Sequence, residues 1–279
     1  FAKVKTLVDA EREKNPDGVL LLSAGDKWTG NPVVDQYDPK GYPMVDLMNR
    51  VGYDFETFGN HEYDLGQALL ADRLRQATFT ALSANWTVDP AVSSLPQPKP
   101  YTIFKKNGIR ICILGLTEAV PKNNGLYFPS AHQGKLQGLT FRDPIQTAQE
   151  YRHLRDSCDL FIALTHIGYN EDQDLAEAMP ELDVIIGGHS HTRVDSTFVV
   201  NGVLVTQTEC WLKNLGKTTL TLQRANSRSP WTVADKRFNL INLARPIKED
   251  AEVKALIGME STLPKKARAV AWSPAANAQ

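Results

Sequence analysis

Gly59-Asn60-His61-Glu62-Tyr63-Asp64 is the stretch on which the reading of this chain turns. It sets an amide, an imidazole and two carboxylates in one short run directly after a strand. Three other segments share that placement. Gly25-Asp26 follows Val19-Leu20-Leu21-Leu22-Ser23, Thr165-His166-Ile167-Gly168 follows the apolar run from Leu160, and Gly187-Gly188-His189-Ser190-His191-Thr192 follows Val184-Ile185-Ile186. Branched α/β folds gather ligands at the carboxyl ends of strands, because the loops there converge on one crevice. Four of the six histidines fall in these segments.

Outward from these loops, helical and extended patterns alternate. Ala2 to Lys14 sets Val4, Leu7 and Val8 on one side, an amphipathic helix. Pro43 in a first turn and Gly52 at the end bound a second helix, and Leu65 to Gln76 reads as a third. Phe79 to Ser83 is a strand, and Tyr101 to Leu114 a hairpin turning at Asn107-Gly108. Asp143 caps a helix that Pro144 opens and that runs to about Asp156. Leu160 to Thr165, Glu171 to Met179 and Val184 to Ile186 continue the alternation. Strands then dominate: a hairpin over Thr197 to Thr206 turning at Asn201-Gly202, then Leu215 to Leu222 and Trp231 to Ile241. Ile247 to Met259 reads as a helix, and Ala267 to Gln279 as a frayed tail or the start of a linker. The pattern predicts a mixed α/β sandwich.

The residue types in the four loops suit a pair of divalent metals. Asp26 offers a carboxylate that can bridge two cations. His189 and His191, flanking Ser190, would project to one side of an extended loop, with Gly187 and Gly188 allowing a tight turn. Imidazole, carboxylate and amide oxygen together suit zinc, manganese or iron better than copper(I) or calcium. Two such ions about 3.5–4 Å apart clamp the attacking and leaving oxygens of an in-line displacement and lower the pKa of bound water. His61 and Asp64, three residues apart, read as an imidazole oriented by a carboxylate. Taken singly, each signal has a plain structural reading: Gly25-Asp26 as a turn, His166 as a core or capping histidine, His61-Glu62 as a solvated helix start. Their order along the chain favours the site. His132 and His153 have no such company and read as surface residues.

Composition narrows the function classes. Lys plus Arg (31) nearly cancels Asp plus Glu (32) in 279 residues, which leaves no electrostatic footprint for a nucleic acid polymer or an anionic membrane. No stretch is long and apolar enough to span a bilayer. Cys112, Cys158 and Cys210 form no CxxC pair, which argues against a disulfide scaffold or sulfur-ligated zinc. All three read as small residues packed in or beside strands.

The loop motifs, with Asn31-Pro32, Ser83-Ala84-Asn85 and Phe141-Arg142-Asp143-Pro144, resemble the calcineurin-like metallophosphatases, and within them the 5′-nucleotidase and 2′,3′-cyclic-nucleotide phosphodiesterase subgroup. The likeness runs from Ala2 to about Ile241. It implies a four-layer α/β/β/α sandwich with mixed sheets, over residues 1–245, followed by a linker helix and tail over 246–279. It implies two divalent metal ions, zinc, manganese or similar, with Asp26 bridging. Asn60, His166 and His189 would complete one site, and His191 would belong to the other. His61 would stabilise the transition state or protonate the leaving oxygen, with Asp64 orienting it. The implied reaction is hydrolysis of phosphate monoesters, 5′-nucleotides first, by in-line attack of metal-bound hydroxide, with cyclic phosphodiesters as the near alternative. Location in the periplasm or at the cell surface follows by the same resemblance.

Two departures from the family pattern carry expectations. The pattern begins with a strand ending in Asp-x-His, whereas these residues begin in the following helix. A fragment of a longer chain is expected, one metal site keeping Asp26, Asn60, His166 and His189 and the other only Asp26 and His191. Loss of that strand would leave apolar neighbours uncovered. The nucleotide-binding carboxyl-terminal domain usual in the family is also expected to be cut away or carried on a separate polypeptide. Rival readings are thioester or sulfate-type hydrolysis on the same scaffold, an amidohydrolase, and a degenerate binding module. The amidohydrolase would place its His-x-His at a first strand, and a degenerate module should have lost some of the site residues.

Overall fold

The computed structural model describes residues 1–262, so the expected tail from Ala267 to Gln279 lies outside the described residues. The centre is a six-stranded mixed sheet in the order Val199–Val200, Val203–Thr206, Val184–Ile186, Leu160–His166, Ile109–Thr117, Tyr101–Lys106. Its inner strands are parallel and its two edge pairings antiparallel. A strand buried on both faces reads as a continuous apolar run, and every residue of Leu160–His166 is buried.

Side-chain alternation along these strands builds the layers. Cys112, Leu114, Leu116, Phe161 and Ala163 point to one face, where Ala148, Leu154, Leu175 and Ala176 bring in helical segments. Ile111, Ile113, Leu160, Ile162 and Leu164 point to the other, against Leu22, Phe55 and Leu82 of a three-stranded parallel sheet, Leu22–Ser23, Phe55–Thr57 and Thr80–Leu82. Helices Tyr42–Val51 and Gln67–Gln76 close the far side of that sheet with Val45, Met48, Leu70 and Ala71. Helix, sheet, sheet and helix follow one another, the arrangement of a four-layer sandwich.

Both Asn-Gly turns form as the sequence predicts. Asn107 and Gly108 have φ of 50° and 78°, and Asn201 and Gly202 of 47° and 84°, so each supplies the left-handed pair that such hairpins need. Asp143 accepts a hydrogen bond from the Gln146 N–H at 2.8 Å, capping its helix. That helix ends at Glu150, earlier than expected: the Tyr151 N–H bonds Ala148 O, and the chain tightens into a 3₁₀ segment, Arg152–Ser157. The third helix starts at Gln67 instead of Leu65, because Gly66 stands at φ 87°. The strand expected over Val19 to Ser23 contracts to Leu22–Ser23, since Leu21 N–H is taken by the Asp54 carboxylate at 2.7 Å. Leu20, Leu22, Leu220 and Leu222 are half-buried against the large sheet. The last helix, Ala251–Thr262, seats Val253 against Ala2, Tyr37 and Leu47.

Cys112 and Cys158 pack in the core as expected, but Cys210 is only half-buried and lies in a loop beyond the strands. No helix among the described residues is long and apolar enough to cross a membrane.

Candidate metal and catalytic site

Both sheets end their parallel strands at one edge, and the four sequence loops meet there. Asn60 is the meeting point. Its side-chain oxygen lies 3.3 Å from His166 Nε2 and 3.0 Å from His189 Nδ1. The amide cannot turn round freely, because its Nδ2 donates to Ser130 O at 3.1 Å, and Ser130 is gripped by the buried Glu118 through both its N–H and its hydroxyl at 2.7 Å. Asp26 Oδ2 completes the group 3.1 Å from His166 Nε2. His166 is fixed from behind, its Nδ1 against Ala24 O, which leaves Nε2 as the nitrogen turned into the cluster.

The electrostatics follow from this crowding. Burial alone would raise the Asp26 carboxyl, but the His166 hydrogen bond and charge, with the His61 backbone N–H, outweigh it and hold it below its ordinary value. Burial would likewise lower His166, yet Asp26 and Ala24 O hold it above the usual imidazole range. His189 is lowered, by burial and by its charged neighbour His166.

His61 and Asp64 stand beside this cluster, Nδ1 and Oδ2 2.6 Å apart on a short 3₁₀ turn. The His61 N–H donates to Asp26 Oδ1 at 2.9 Å, tying the pair to the cluster, and the Trp28 indole donates to His61 O at 2.8 Å. Burial pulls His61 down, but Asp64 and Asp26 outweigh it and raise its pKa. The ring stays 43% exposed, open to an incoming molecule.

The His189–His191 segment differs from the extended loop that the sequence suggests. The left-handed backbone falls on His189 (φ 79°) and His191 (φ 55°), not on the glycines before them. Those glycines answer close approach instead: a Cβ on Gly187 would stand 1.9 Å from Asp172 Oδ2, and one on Gly188 would stand 2.8 Å from Ala24 O. The two imidazoles therefore part company. His189 turns into the cluster, while His191 meets the Trp211 ring at 5.9 Å and makes no hydrogen bond or ion pair among the described residues.

Residues to which the sequence reading gave no role hold the loops in place. Glu62 accepts N–H groups from Asp26 and Lys27 at 2.9 Å each and from Gly59, so one carboxylate binds the loop of Asp26 to the loop of Asn60. Lys27, wholly buried, is shared between Glu56 at 3.0 Å and Glu62 at 3.5 Å. One ammonium cannot satisfy both carboxylates: Glu56 keeps an unpartnered oxygen among the described residues, and burial pushes its pKa up to about 7. Gln207 plays the corresponding part for the histidine loop, donating to Gly188 O at 2.8 Å and accepting from Ser190 Oγ and the Thr192 N–H. Asn85 donates to Thr117 O and accepts from Thr117 N–H, joining the strand ends behind the site. His132 and His153 are exposed.

The donor set fits a borderline divalent cation: two imidazoles on an amide oxygen, with a carboxylate against one of the imidazoles. Among the described residues no three His, Cys, Asp or Glu side chains surround a common centre as a finished cage. The reason lies in the contacts. Asp26 and His166 are drawn together as an ion pair, and the common point is an amide oxygen. Two surface cavities, lined by Gln67 and Lys135 and by Arg110 and Trp231, contain none of these residues, so chemistry and not concavity marks the site.

Residues 1–193 match the model of the calcineurin-like phosphoesterases. The chain belongs to that family. It is 35% identical over 212 residues to a 5′-nucleotidase of Vibrio cholerae, covering 70% of this chain and 36% of that protein. A Haemophilus influenzae 2′,3′-cyclic-nucleotide 2′-phosphodiesterase/3′-nucleotidase is 28% identical, over 92% of this chain and 42% of its own length. The solved 5′-nucleotidase precursor of Thermus thermophilus superposes with a TM-score of 0.76 at 28% identity, over 93% of this chain and 52% of that one. The chain thus spans about a third of the length of the first curated relatives it matches.

Proposed function

We propose that residues 1–245 form the catalytic unit of a phosphoesterase that hydrolyses phosphate monoesters, 5′-nucleotides foremost, with two divalent cations. The observation that supports this most is the convergence of His166 and His189 on the Asn60 oxygen, with Asp26 against His166, beside the His61–Asp64 pair. Asp26, Asn60, His166 and His189 would hold one cation, and Asp26 with His191 would furnish part of the site for the other. Bound there, the cations supply Lewis acidity toward the phosphoryl oxygens and lower the pKa of a water.

The protein's own groups do the rest. His166, anchored on Ala24 O, and Asn60, anchored on Ser130 O, keep their ligating atoms aimed without reorganisation. Asp64 fixes the orientation of His61, and Asp64 and Asp26 favour a proton on its ring. His61 gives that proton to the leaving oxygen, or holds the charge growing there. The names of the Vibrio and Thermus relatives support nucleotides as substrate. A cyclic phosphodiester is the second reading, favoured by the Haemophilus relative, whose match covers most of this chain.

Phosphate release from AMP, a 2′,3′-cyclic nucleotide and p-nitrophenyl phosphate, with added manganese, cobalt or zinc, tests the proposal. Metal-dependent turnover removed by His61→Ala supports it, and the substrate ranking decides between the two readings. Turnover that persists with chelator, or that His61→Ala leaves intact, overturns it.

A further inference from the structure

Glu118 follows the strand Ile109–Thr117 of the large sheet, whose last residue pairs with His166. It is only 3% exposed. A carboxylate taken out of water must be hydrogen-bonded, and both oxygens of this one go to a single residue. Oε2 accepts the Ser130 N–H at 2.7 Å and Oε1 accepts the Ser130 hydroxyl at 2.7 Å. Bonds to an ionised acceptor are roughly twice as strong as neutral ones. Ser130 in turn presents its carbonyl to Asn60, whose Nδ2 donates to it at 3.1 Å. The two ends of an amide have nearly the same shape but opposite chemistry: the oxygen has lone pairs to offer a metal, the NH₂ has none. Turned round, Asn60 would set its oxygen against Ser130 O, acceptor against acceptor, and its NH₂ against His166 and His189. The Ser130 carbonyl therefore selects the orientation in which Oδ1 faces the imidazoles. Ser130 is exposed and lies in neither helix nor strand, so Glu118 is what holds that carbonyl in place.

We propose that Glu118 is a positioning residue of the metal site: by fixing the Ser130 carbonyl it turns the oxygen of Asn60, and not its nitrogen, toward the cation. This rests on the proposed metal site and names the group that aims one of its ligands. Asn60 follows a strand of the small sheet and Glu118 one of the large sheet, so the same contact ties this ligand to the sheet that carries His166 and His189. Outer partners of metal ligands typically change metal affinity by about 10- to 100-fold. Charge is the rival route, since the Glu118 carboxylate also opposes the lowering that burial and His166 impose on His189. Orientation and charge make different demands on the side chain at 118, and a carboxamide there separates them.

The test is calorimetric titration of the whole chain with manganese, for Glu118→Ala and Glu118→Gln, each alone and combined with Asn60→Asp. In Asn60→Asp the side chain has an oxygen at both ends and needs no aiming. Glu118→Ala should weaken manganese binding by about 10- to 100-fold alone, and by less than about 3-fold when Asn60→Asp is present. Glu118→Gln should stay within about 3-fold of the wild type, because its amide accepts the Ser130 N–H and donates to the Ser130 hydroxyl. Ser130→Ala, a surface change that gives up one of the two bonds, should act in the same direction as Glu118→Ala and lose its effect beside Asn60→Asp. It decides the matter if Glu118→Ala does not fold. A merely structural role would weaken binding equally in both backgrounds. That result, a Gln variant as weak as the Ala variant, no loss in either Ala variant, or a wild type that binds no manganese overturns the proposal. Phosphate release by the wild type is followed in parallel. The expected binding pattern without any turnover would uphold Glu118 and reject the phosphoesterase reading instead.

Discussion

At the scale of single residues, the six-residue run from Gly59 to Asp64 divides its labour in a way that spacing only half reveals. Asn60 and His61 announce themselves by chemistry, but Glu62 looks like one more surface carboxylate until its three backbone N–H partners and Lys27 are seen. Nothing in a linear sequence says that its side chain turns inward, because that depends on a loop more than thirty residues upstream. Asp172 is hidden for the same reason. It is wholly buried under Gly187, with one oxygen on Thr165 Oγ1 at 2.6 Å and the other unpartnered among the described residues, and burial pushes its pKa up to about 8. A carboxyl raised on folding binds its proton more tightly in the folded state. Its contribution to stability is therefore complete below the ordinary value of 3.8 and is lost as pH rises through about 8. Asp172→Asn keeps the acceptor for Thr165 and removes the ionisation. Thermal melts of that variant should fall less between pH 5 and pH 9 than those of the wild type, and an equal fall in both would remove Asp172 from the account. Under the proposed role of His61 as proton donor and not ligand, His61→Ala should lower kcat by about 10²–10⁴-fold while leaving manganese affinity within a few-fold. A matching loss of metal affinity in calorimetry would assign His61 to the metal instead.

At the scale of elements, what could be read beforehand is whatever local chemistry enforces. Asn-Gly forced both hairpins, Asp143-Pro144 opened its helix, and the apolar Leu160 run announced a strand. The misread boundaries have their own causes: Asp54, a distant partner, delays the start of the Leu22–Ser23 strand, and Gly66 delays the third helix. A small four-stranded sheet, Trp86–Val88, Leu139–Phe141, Tyr127–Phe128 and Val120–Pro121, left no pattern at all, because strands of two or three residues cannot display a period. The glycines allow a direct comparison. Gly25 has φ 88°, and a Cβ there would stand 2.5 Å from Gly59 N and 3.0 Å from His166 Nδ1. Gly108 has φ 78° with open space around it. Gly108→Ala should thus cost about 1 kcal/mol in urea denaturation, the conformational cost alone, with metal affinity untouched. Gly25→Ala should cost more than that and weaken manganese binding at least about 10-fold, because its methyl pushes apart the loops that carry Asp26 and Asn60. Equal effects of the two substitutions would show that the loops are free to part without disturbing the site.

At the scale of the molecule, alternation of helix and strand foretold a mixed α/β sandwich, the family resemblance added its four layers, and charge balance left no broad field to hold an anion. Which candidate ligands meet is a property of the whole sandwich. Asn60 comes from one sheet, His166 and His189 from the other, and only the packing of Ile111, Ile113, Leu160 and Ile162 against Leu22, Phe55 and Leu82 brings those strand ends together. A cation bound across that seam engages the folded chain and not the unfolded one, so it must stabilise the whole domain by mass action, by about 2.7 kcal/mol at 100 times its dissociation constant. Manganese or zinc should accordingly raise Tm in a concentration-dependent way. His166→Ala and Asn60→Ala, which remove candidate ligands from opposite sheets, should each abolish most of the rise, whereas His132→Ala, an exposed histidine outside the candidate ligand set, should keep it in full. The comparison separates a cross-sheet cation from loose binding to surface imidazoles: a rise that survives both ligand substitutions but falls with His132 would place the metal elsewhere, and the seam would then be held by hydrophobic contact and the Asp26–His166 pair alone.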